Sequence, residues 1–167
     1  YSPDDEKKAS DALIKAGCDV LAQHCDTTAP QEASENNGTW AIGYNSDMSK
    51  ETPKATLTSV IWNWSAYYTS YISSIINASY SGENYYGGMK ESLVSLTELS
   101  SLCDDQTAEK VKEAKEKIVS GDFGVFDGVL KTNTGDSIGE EGKTLDDAKI
   151  TGEINWYYHN VSELKWK

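Results

Sequence analysis

The sequence contains no arginine and is poor in positive charge. All 15 of its cationic residues are lysines, against 27 Asp and Glu, which gives a formal net charge of -12 over 167 residues. A nucleic-acid-binding protein needs a basic face that displaces the counterions of phosphates, so the composition predicts no nucleic-acid partner. The same deficit argues against a polybasic module for membrane surfaces. No hydrophobic run approaches the roughly 18 residues of a membrane span.

Cysteine is scarce, and the common motifs of cofactor and metal sites are missing. The three cysteines, Cys18, Cys25 and Cys103, are odd in number and give no disulfide framework. We expect all three to be buried or half-buried thiols. The sequence has no P-loop, no complete G-x-G-x-x-G fingerprint, no H-E-x-x-H and no G-x-S-x-G. It therefore predicts neither a cofactor nor a metal. The aromatic residues are instead dominated by ten Tyr and five Trp, against two Phe, a composition that suits half-wet ligand clefts.

The apolar pattern predicts an α/β fold. Apolar runs of strand length cover 18–23, 39–44 and 56–62, and helical spacing covers 4–16 and 27–37. Short runs that are apolar on both faces and alternate with helices are typical of a parallel sheet with flanking helices. Beyond them the pattern predicts a helix over 65–81, an extended segment over 84–99, a helix over 107–120 capped by Thr107, a strand over 123–133 bulged at Asp127-Gly128, a glycine-rich loop over 134–143 and a helical turn over 144–149.

Polar and aromatic side chains follow each of the three predicted parallel strands. Open parallel sheets bind ligands at the carboxyl ends of their strands. Indole faces stack on flat rings, and amides and carboxylates hydrogen-bond ring edges or sugar hydroxyls. The sequence therefore predicts ligand contacts from Gln23 and His24 after the first strand, Asn45 and Asp47 after the second, and Trp62 and Trp64 after the third.

Some of these positions have other interpretations. Packing in a core explains Trp62 and Trp64 equally well. His24 stands beside Cys25 and Asp26, the residue types of a nucleophile with its base, although a polar residue at the rim of a sheet also accounts for it. The many carboxylates leave a glycosidase-like pair open.

The ordered series of segments resembles the BMP family, the basic-membrane-protein-like lipoproteins that bind substrates for ABC transporters and include purine nucleoside receptors. The resemblance spans essentially the whole chain. Its segments are GCDVLAQHCDT, TWAIGYNSDMSKETPKATLTSVIWNWSAYY, YYGGMKESLVSL, AKEKIVSGDFGVFDGVLKTNTGDSIGEEGKTL and INWYYHNV. It implies a type I periplasmic-binding-protein-like fold with two α/β lobes around a ligand cleft, of which this chain is the C-terminal part. Residues 1–61 would belong to the second lobe, 62–86 to a crossover and a helix of the first lobe, and 87–167 to crossover strands, a helix and a C-terminal extension.

The resemblance also assigns individual positions. Asn45 stands where the family often has an Asp that holds a ribose hydroxyl, and Trp62 where the nucleoside receptors have a Lys near the ligand. Cys25 and Asp26 fall near a glycine-rich approach to the ligand, which adds Asp26 to the predicted site. A Trp at position 62 favours a flat ligand such as a free nucleobase over a ribosylated one.

The resemblance implies a solute-binding protein, not an enzyme, that captures a small heterocyclic metabolite by lobe closure and passes it to an ABC permease. It implies an extracytoplasmic, membrane-anchored lipoprotein whose anchor and signal lie outside this chain. A sheet lacking its first strand would expose an edge, which predicts pairing with the missing N-terminal portion or another copy. Two alternatives remain open. One is a hydrolase of sugar-containing substrates that uses Asp26 and Asp47, and the other is a ligand-sensing module of a signalling receptor.

Overall fold

The computed structural model describes residues 1–164 and divides them into two compact units. The first unit is Tyr1–Lys115, and the second begins at Glu116. No helix in the described part of the chain is long and apolar enough to cross a bilayer.

The first unit opens with a helix, a short strand and a second helix: α1 (Pro3–Lys15), β1 (Val20–Ala22) and α2 (Ala29–Asn37). Proline in the first turn and the acidic residues after it suit the amino end of α1. Glu6 of α1 accepts hydrogen bonds from the backbone N–H of Ser2 (3.1 Å) and from the hydroxyl of Thr27, which ties α1 to the loop after β1. Gly38, at φ 68°, ends α2 in the left-handed conformation that glycine adopts without strain.

The main sheet has four strands in the order β1-β2-β3-β4, with β2 at Trp40–Asn45, β3 at Thr56–Trp62 and β4 at Val94–Leu96. The first three are parallel, which confirms the predicted α/β arrangement. The sheet is mixed rather than wholly parallel, because β4 runs antiparallel to β3. Of the extended segment predicted over 84–99, only the three residues of β4 join the sheet. Thr97, the residue after β4, helps to hold β4 beside β3, because its Oγ1 accepts a hydrogen bond from the N–H of Ser59 at 2.9 Å.

The core of this unit is built from small and hydroxyl-bearing side chains. Its buried apolar residues include Ala33, Ala41, Met48 and Ala55, and its fully buried polar residues are Gln31, Ser34, Thr52, Thr56 and Ser59. Small residues let β2 and β3 pack closely against the neighbouring side chains. A Cβ added to Gly43 would overlap the hydroxyl of Ser59 and lie 3.2 Å from the sulfur of Met48. Gly43 is therefore required for packing.

Helix α3 (Trp64–Ile76) has no buried residue. It ends five residues earlier than the predicted helix over 65–81, because Ala78 turns the chain at φ 54°. Its large apolar side chains are more than half exposed: Trp64, Tyr68, Ile72, Ile75 and Ile76.

Helix α4 (Asp105–Ser120) crosses from the first unit into the second. Its amino end is capped by Asp104, whose carboxylate accepts from the N–H of Thr107 at 2.7 Å, so the prediction of Thr107 as the cap is wrong. Asp104 immediately precedes the helix, and its charged carboxylate is a strong acceptor for the N–H of the third helical residue.

The second unit contains an antiparallel hairpin, β5 (Asp127–Lys131) with β6 (Ser137–Thr144), and the short helix α5 (Asp147–Gly152). The register shift between Asp127 and Val129 confirms the predicted bulge. The predicted loop over 134–143 is wrong from Ser137 on, where β6 forms. Its glycines did not prevent pairing, because Gly139 at φ 88° sits against the backbone of Gly128 in the irregular part of the ladder.

Candidate functional site at the strand ends

The carboxyl ends of the three parallel strands lie at one edge of the sheet. The register pairs Ala22 with Ile42 and Asn45 with Ile61, so the segments after β1, β2 and β3 leave from the same edge. All seven residues predicted to contact a ligand are on these segments or are the last residue of a strand: Gln23, His24, Asp26, Asn45, Asp47, Trp62 and Trp64.

Four rings form a row along this edge, here called the strand-end row: His24, Tyr44, Trp62 and Trp64. The ring centroids lie 6.5 Å apart for His24 and Tyr44, 6.0 Å for Tyr44 and Trp62, and 6.2 Å for Trp62 and Trp64. Tyr44 and Trp62 meet at 90°, the edge-to-face geometry that ring quadrupoles favour. Trp62 is half-buried and Trp64 is 52% exposed, so core packing does not account for Trp64.

Tyr44 is the member of the row that sequence reasoning missed. Its neighbour Gly43 and Ala41 are buried, so the alternating pattern of β2 sends Ile42 and Tyr44 to the opposite face. Following that alternation to the end of β2 would have placed Tyr44 on the same face as Ile42. The pairing of Tyr44 with Val60 then brings its ring beside the end of β3.

Asn45 ends β2 in a conformation that few residues adopt. Its φ is 69°, in the left-handed region where asparagine is enriched among non-glycine residues. The N–H of Ser46 donates to the carbonyl of Tyr44 at 2.8 Å and closes a tight turn around it. Asn45 is exposed, and its amide makes no hydrogen bond to any group within residues 1–164. Both ends of that amide are therefore available to a ligand.

Asp47 follows on the same loop as an exposed carboxylate. It accepts from the N–H of Ser49 at 3.0 Å and from its hydroxyl at 2.6 Å. These two hydrogen bonds, the hydroxyl first, lower the pKa of Asp47, which holds its negative charge. The next residue, Met48, is buried and donates its N–H to Ser59 Oγ at 3.2 Å. The loop that carries Asn45 and Asp47 is thus anchored to the interior of the sheet.

Gln23 is engaged by the protein itself. Its amide nitrogen donates to Gln31 Oε1 at 3.0 Å and to the carbonyl of Thr27 at 3.3 Å, and its oxygen accepts from the N–H of Cys25. The amide shapes the turn after β1 and fixes it to the buried Gln31 of α2. Its role as a ligand contact stays a prediction.

His24 and Asp26 are both exposed on that turn, with Cys25 half-buried between them. Burial raises the pKa of the Cys25 thiol, and the negative charge of Glu6 adds to the effect. A raised pKa disfavours the thiolate that a nucleophile requires. The three cysteines are half-buried and free, as predicted. In the described part of the chain, no group of three His, Cys, Asp or Glu residues is arranged to hold a metal ion.

The structure thus joins His24 to Trp62 through Tyr44 and joins Trp62 to Trp64, and Asn45 directly follows Tyr44 in the sequence. Asp47 and Asp26 border this arrangement along the chain. The result is a row of aromatic rings whose neighbours in sequence include the exposed amide of Asn45 and two exposed carboxylates. Such a surface can stack a flat ring and hydrogen-bond its edge.

Comparisons with known proteins show the family to which the chain belongs. The profile of the Bmp family, ABC transporter substrate-binding protein PnrA-like, matches residues 1–127. The chain is 31% identical over 163 residues to a purine-binding protein of Brucella abortus, covering 98% of this chain and 46% of that protein. It is 30% identical over 128 residues to a putative ABC transporter glucose-binding protein of Haloferax volcanii, covering 77% of this chain and 33% of that one.

Solved structures share the fold. A transcriptional activator of the comK gene from Bacillus halodurans superposes with a TM-score of 0.65 at 23% identity, covering 72% of this chain and 44% of that one. An ABC transporter solute-binding protein from Conexibacter woesei gives 0.56 at 18% identity, over 75% of this chain and 43% of that one.

This chain therefore spans less than half the length of the relatives it matches. The family is one of solute-binding proteins rather than enzymes. The ordered segments and the profile match lead to one identification: the chain belongs to the Bmp family of PnrA-like ABC transporter substrate-binding proteins.

Proposed function

We propose that the whole protein captures a small heterocyclic metabolite, a purine nucleobase or nucleoside, at the strand-end row and delivers it to the permease of an ABC importer. The observation that carries the proposal is the row itself, with the centroids of Tyr44 and Trp62 only 6.0 Å apart at the edge of the sheet where ligands of such folds bind. Neither the row nor the turn at 45–47 includes a lysine, which favours an uncharged ring over a phosphorylated one.

Asn45 supplies the directed hydrogen bonds in this proposal. Its amide donates and accepts, so it is suited to the edge of a base, which alternates donors and acceptors. The purine-binding name of the Brucella relative supports the same ligand class. A nucleobase is favoured over a nucleoside because Trp62 offers a ring face where a Lys would contact the ribosylated ligand.

Lobe closure is the proposed mechanism. Residues 1–61 would form the second lobe, and 62–86 would cross to the first lobe and place α3 on it, with 87–167 supplying the return crossovers, a helix and the C-terminal extension. The exposed apolar face of α3 supports this assignment, because a helix with that face needs a partner to cover it. The exposed strand β1, which pairs with β2 alone among the described strands, supports pairing of its free edge with the first lobe or another copy. The protein would act outside the cytoplasm, held to the membrane as a lipoprotein.

The test is a titration of the whole protein with adenine and with adenosine, followed by tryptophan fluorescence. Trp62→Ala should raise the dissociation constant at least about tenfold, because it removes the ring on which the base stacks. Trp40→Ala is the matched control: it removes an indole that is 38% exposed at the opposite end of β2 and should leave binding unchanged. Equal losses in both variants, or no binding of either purine, would refute the site. Tighter binding of adenosine than of adenine would refute the preference for a free base.

A further inference from the structure

A second cluster of tyrosines and serines lies on α3 and the segment that follows it. Six of the ten tyrosines fall between positions 67 and 86. On α3, Tyr67, Ser70, Tyr71 and Ser74 are spaced three or four residues apart, so they share one face of the helix. The apolar side chains Ile72, Ile75 and Ile76 and the ring of Tyr68 occupy other positions around it. The helix thus separates a tyrosine-serine face from an apolar face.

The tyrosine-serine face forms one wall of a cavity of about 210 Å³. The segment 79–85 forms the other wall and is held to the helix by Ser79, whose N–H donates to the carbonyl of Ser74 at 2.8 Å. We call this cavity the tyrosine-serine cavity. Its lining residues on the second wall are Ser79, Tyr80, Ser81, Glu83, Asn84 and Tyr85.

The rings of the cavity are inclined to one another rather than stacked. Tyr67 and Tyr85 face each other across the two walls, with centroids 4.8 Å apart at 44°, and Tyr71 and Tyr80 are 5.0 Å apart at 69°. The inclined rings form a concave surface that suits a puckered ring with C–H groups on its face.

The polar groups of the cavity are almost all neutral. Hydroxyls of Ser and Tyr both donate and accept hydrogen bonds, and the amide of Asn84 does the same with separate atoms. Glu83 is the single charged residue in the lining, which includes no lysine. An anionic ligand would meet a carboxylate and no cation there. Hydroxyl groups, which also donate and accept, match this lining best.

We propose that the tyrosine-serine cavity is a binding site for a neutral saccharide, separate from the strand-end row, with which it shares no residue. The pyranose would lie against Tyr85 and Tyr67, and its hydroxyls would hydrogen-bond Ser70, Asn84 and the serines of the segment 79–85. Its small volume limits it to one sugar ring at a time, such as the end unit of a longer glycan.

The test uses the whole protein and three sugars, D-glucose, N-acetyl-D-glucosamine and maltose, with saturation-transfer NMR and a tyrosine fluorescence titration. At least one sugar should bind saturably. Tyr85→Ala should raise its dissociation constant about tenfold or more, since it removes one wall ring. Tyr86→Ala is the matched control, because Tyr86 is 61% exposed and is not part of the lining, and it should change binding less than about twofold.

Ser70→Trp provides a second variant that does not threaten folding, since Ser70 is exposed on the helix. Its indole should fill the cavity and abolish sugar binding while leaving purine binding intact. Absence of saturable binding by all three sugars at millimolar concentration would overturn the proposal. So would sugar binding that Trp62→Ala abolishes and Tyr85→Ala does not, because that result places the sugar at the strand-end row.

Discussion

Gly43 should be intolerant of even a single added methyl group. A Cβ at this position in β2 would overlap Ser59 Oγ and lie 3.1 Å from Ser59 Cβ and 3.2 Å from Met48 Sδ. Ser59 is fully buried, so its hydroxyl can make room only by leaving the hydrogen bond that it accepts from the N–H of Met48. Gly43→Ala therefore combines overpacking with a buried N–H left unpaired.

The two costs can be separated with a double-mutant cycle. Overpacking costs about 1–3 kcal/mol, and an unsatisfied buried N–H costs about 1–3 kcal/mol, so Gly43→Ala should lower the free energy of unfolding by about 2–6 kcal/mol. Ser59→Ala should cost only the second term. In the double variant the overlap with Oγ is gone and the hydrogen bond is lost once, not twice. Its destabilisation should fall short of the sum of the single variants by at least the one hydrogen-bond term, about 1–3 kcal/mol.

The measurement is urea unfolding of the four proteins, followed by circular dichroism. Ser34→Ala is the matched control: Ser34 is as buried as Ser59, but its hydroxyl has no hydrogen-bond partner among the described residues, so its removal should be neutral or slightly stabilising. Additivity of the two single variants within about 0.5 kcal/mol would refute the proposed coupling. A loss in Ser34→Ala equal to that in Ser59→Ala would show that the hydrogen bond to Met48 contributes nothing.

Two further predictions concern the loops at the strand ends. The hydroxyl of Thr27, followed by the N–H of Ser2, lowers the pKa of Glu6 below its ordinary value of 4.5. The stability that Glu6 contributes is therefore present above pH 4.5 and is lost as the pH falls through the folded-state pKa. Glu6→Gln should flatten the acidic part of a profile of melting temperature against pH. An acidic part unchanged by Glu6→Gln would contradict this role of Glu6. Asn45→Gly should retain the fold, since glycine adopts φ 69° freely. It should weaken purine binding about tenfold through loss of the amide. Asn45→Ala should weaken binding in the same way and also lose about 1 kcal/mol of stability from backbone strain. Equal purine affinity in Asn45→Gly and the unaltered protein would exclude the amide from the site.

Much of this fold is predictable from local sequence because its strands and helices are short and clearly bounded. The runs at 39–44 and 56–62 and the helix after Pro3 match the observed elements to within a residue or two. The sheet edge that holds the candidate site also follows, since parallel strands place their carboxyl ends together. The local sequence pattern does not predict the direction of β4, because that direction depends on how residues 63–93 return to the sheet.

The parts of the site that escaped prediction depend on contacts between distant residues. Tyr44 joins the strand-end row through its edge-to-face contact with Trp62, eighteen positions further along the chain. Gln23 bonds to Gln31 of α2 rather than pointing freely from the strand end. β6 formed where glycines predicted a loop, because pairing with β5 compensates for the low strand propensity of Gly139 and Gly142.

The return of β4 beside β3 has a consequence for how this chain can change over time. Trp62 of β3 pairs with Val94 of β4, and the N–H of Asn63 donates to the carbonyl of Leu93 at 2.7 Å. Residues 63–93 therefore leave the sheet and return to it at the same place. Because its two ends are already joined, this segment can change in length without moving β3 or β4 out of register. New surface chemistry can therefore arise in α3 and the segment after it while the strand ends retain their geometry.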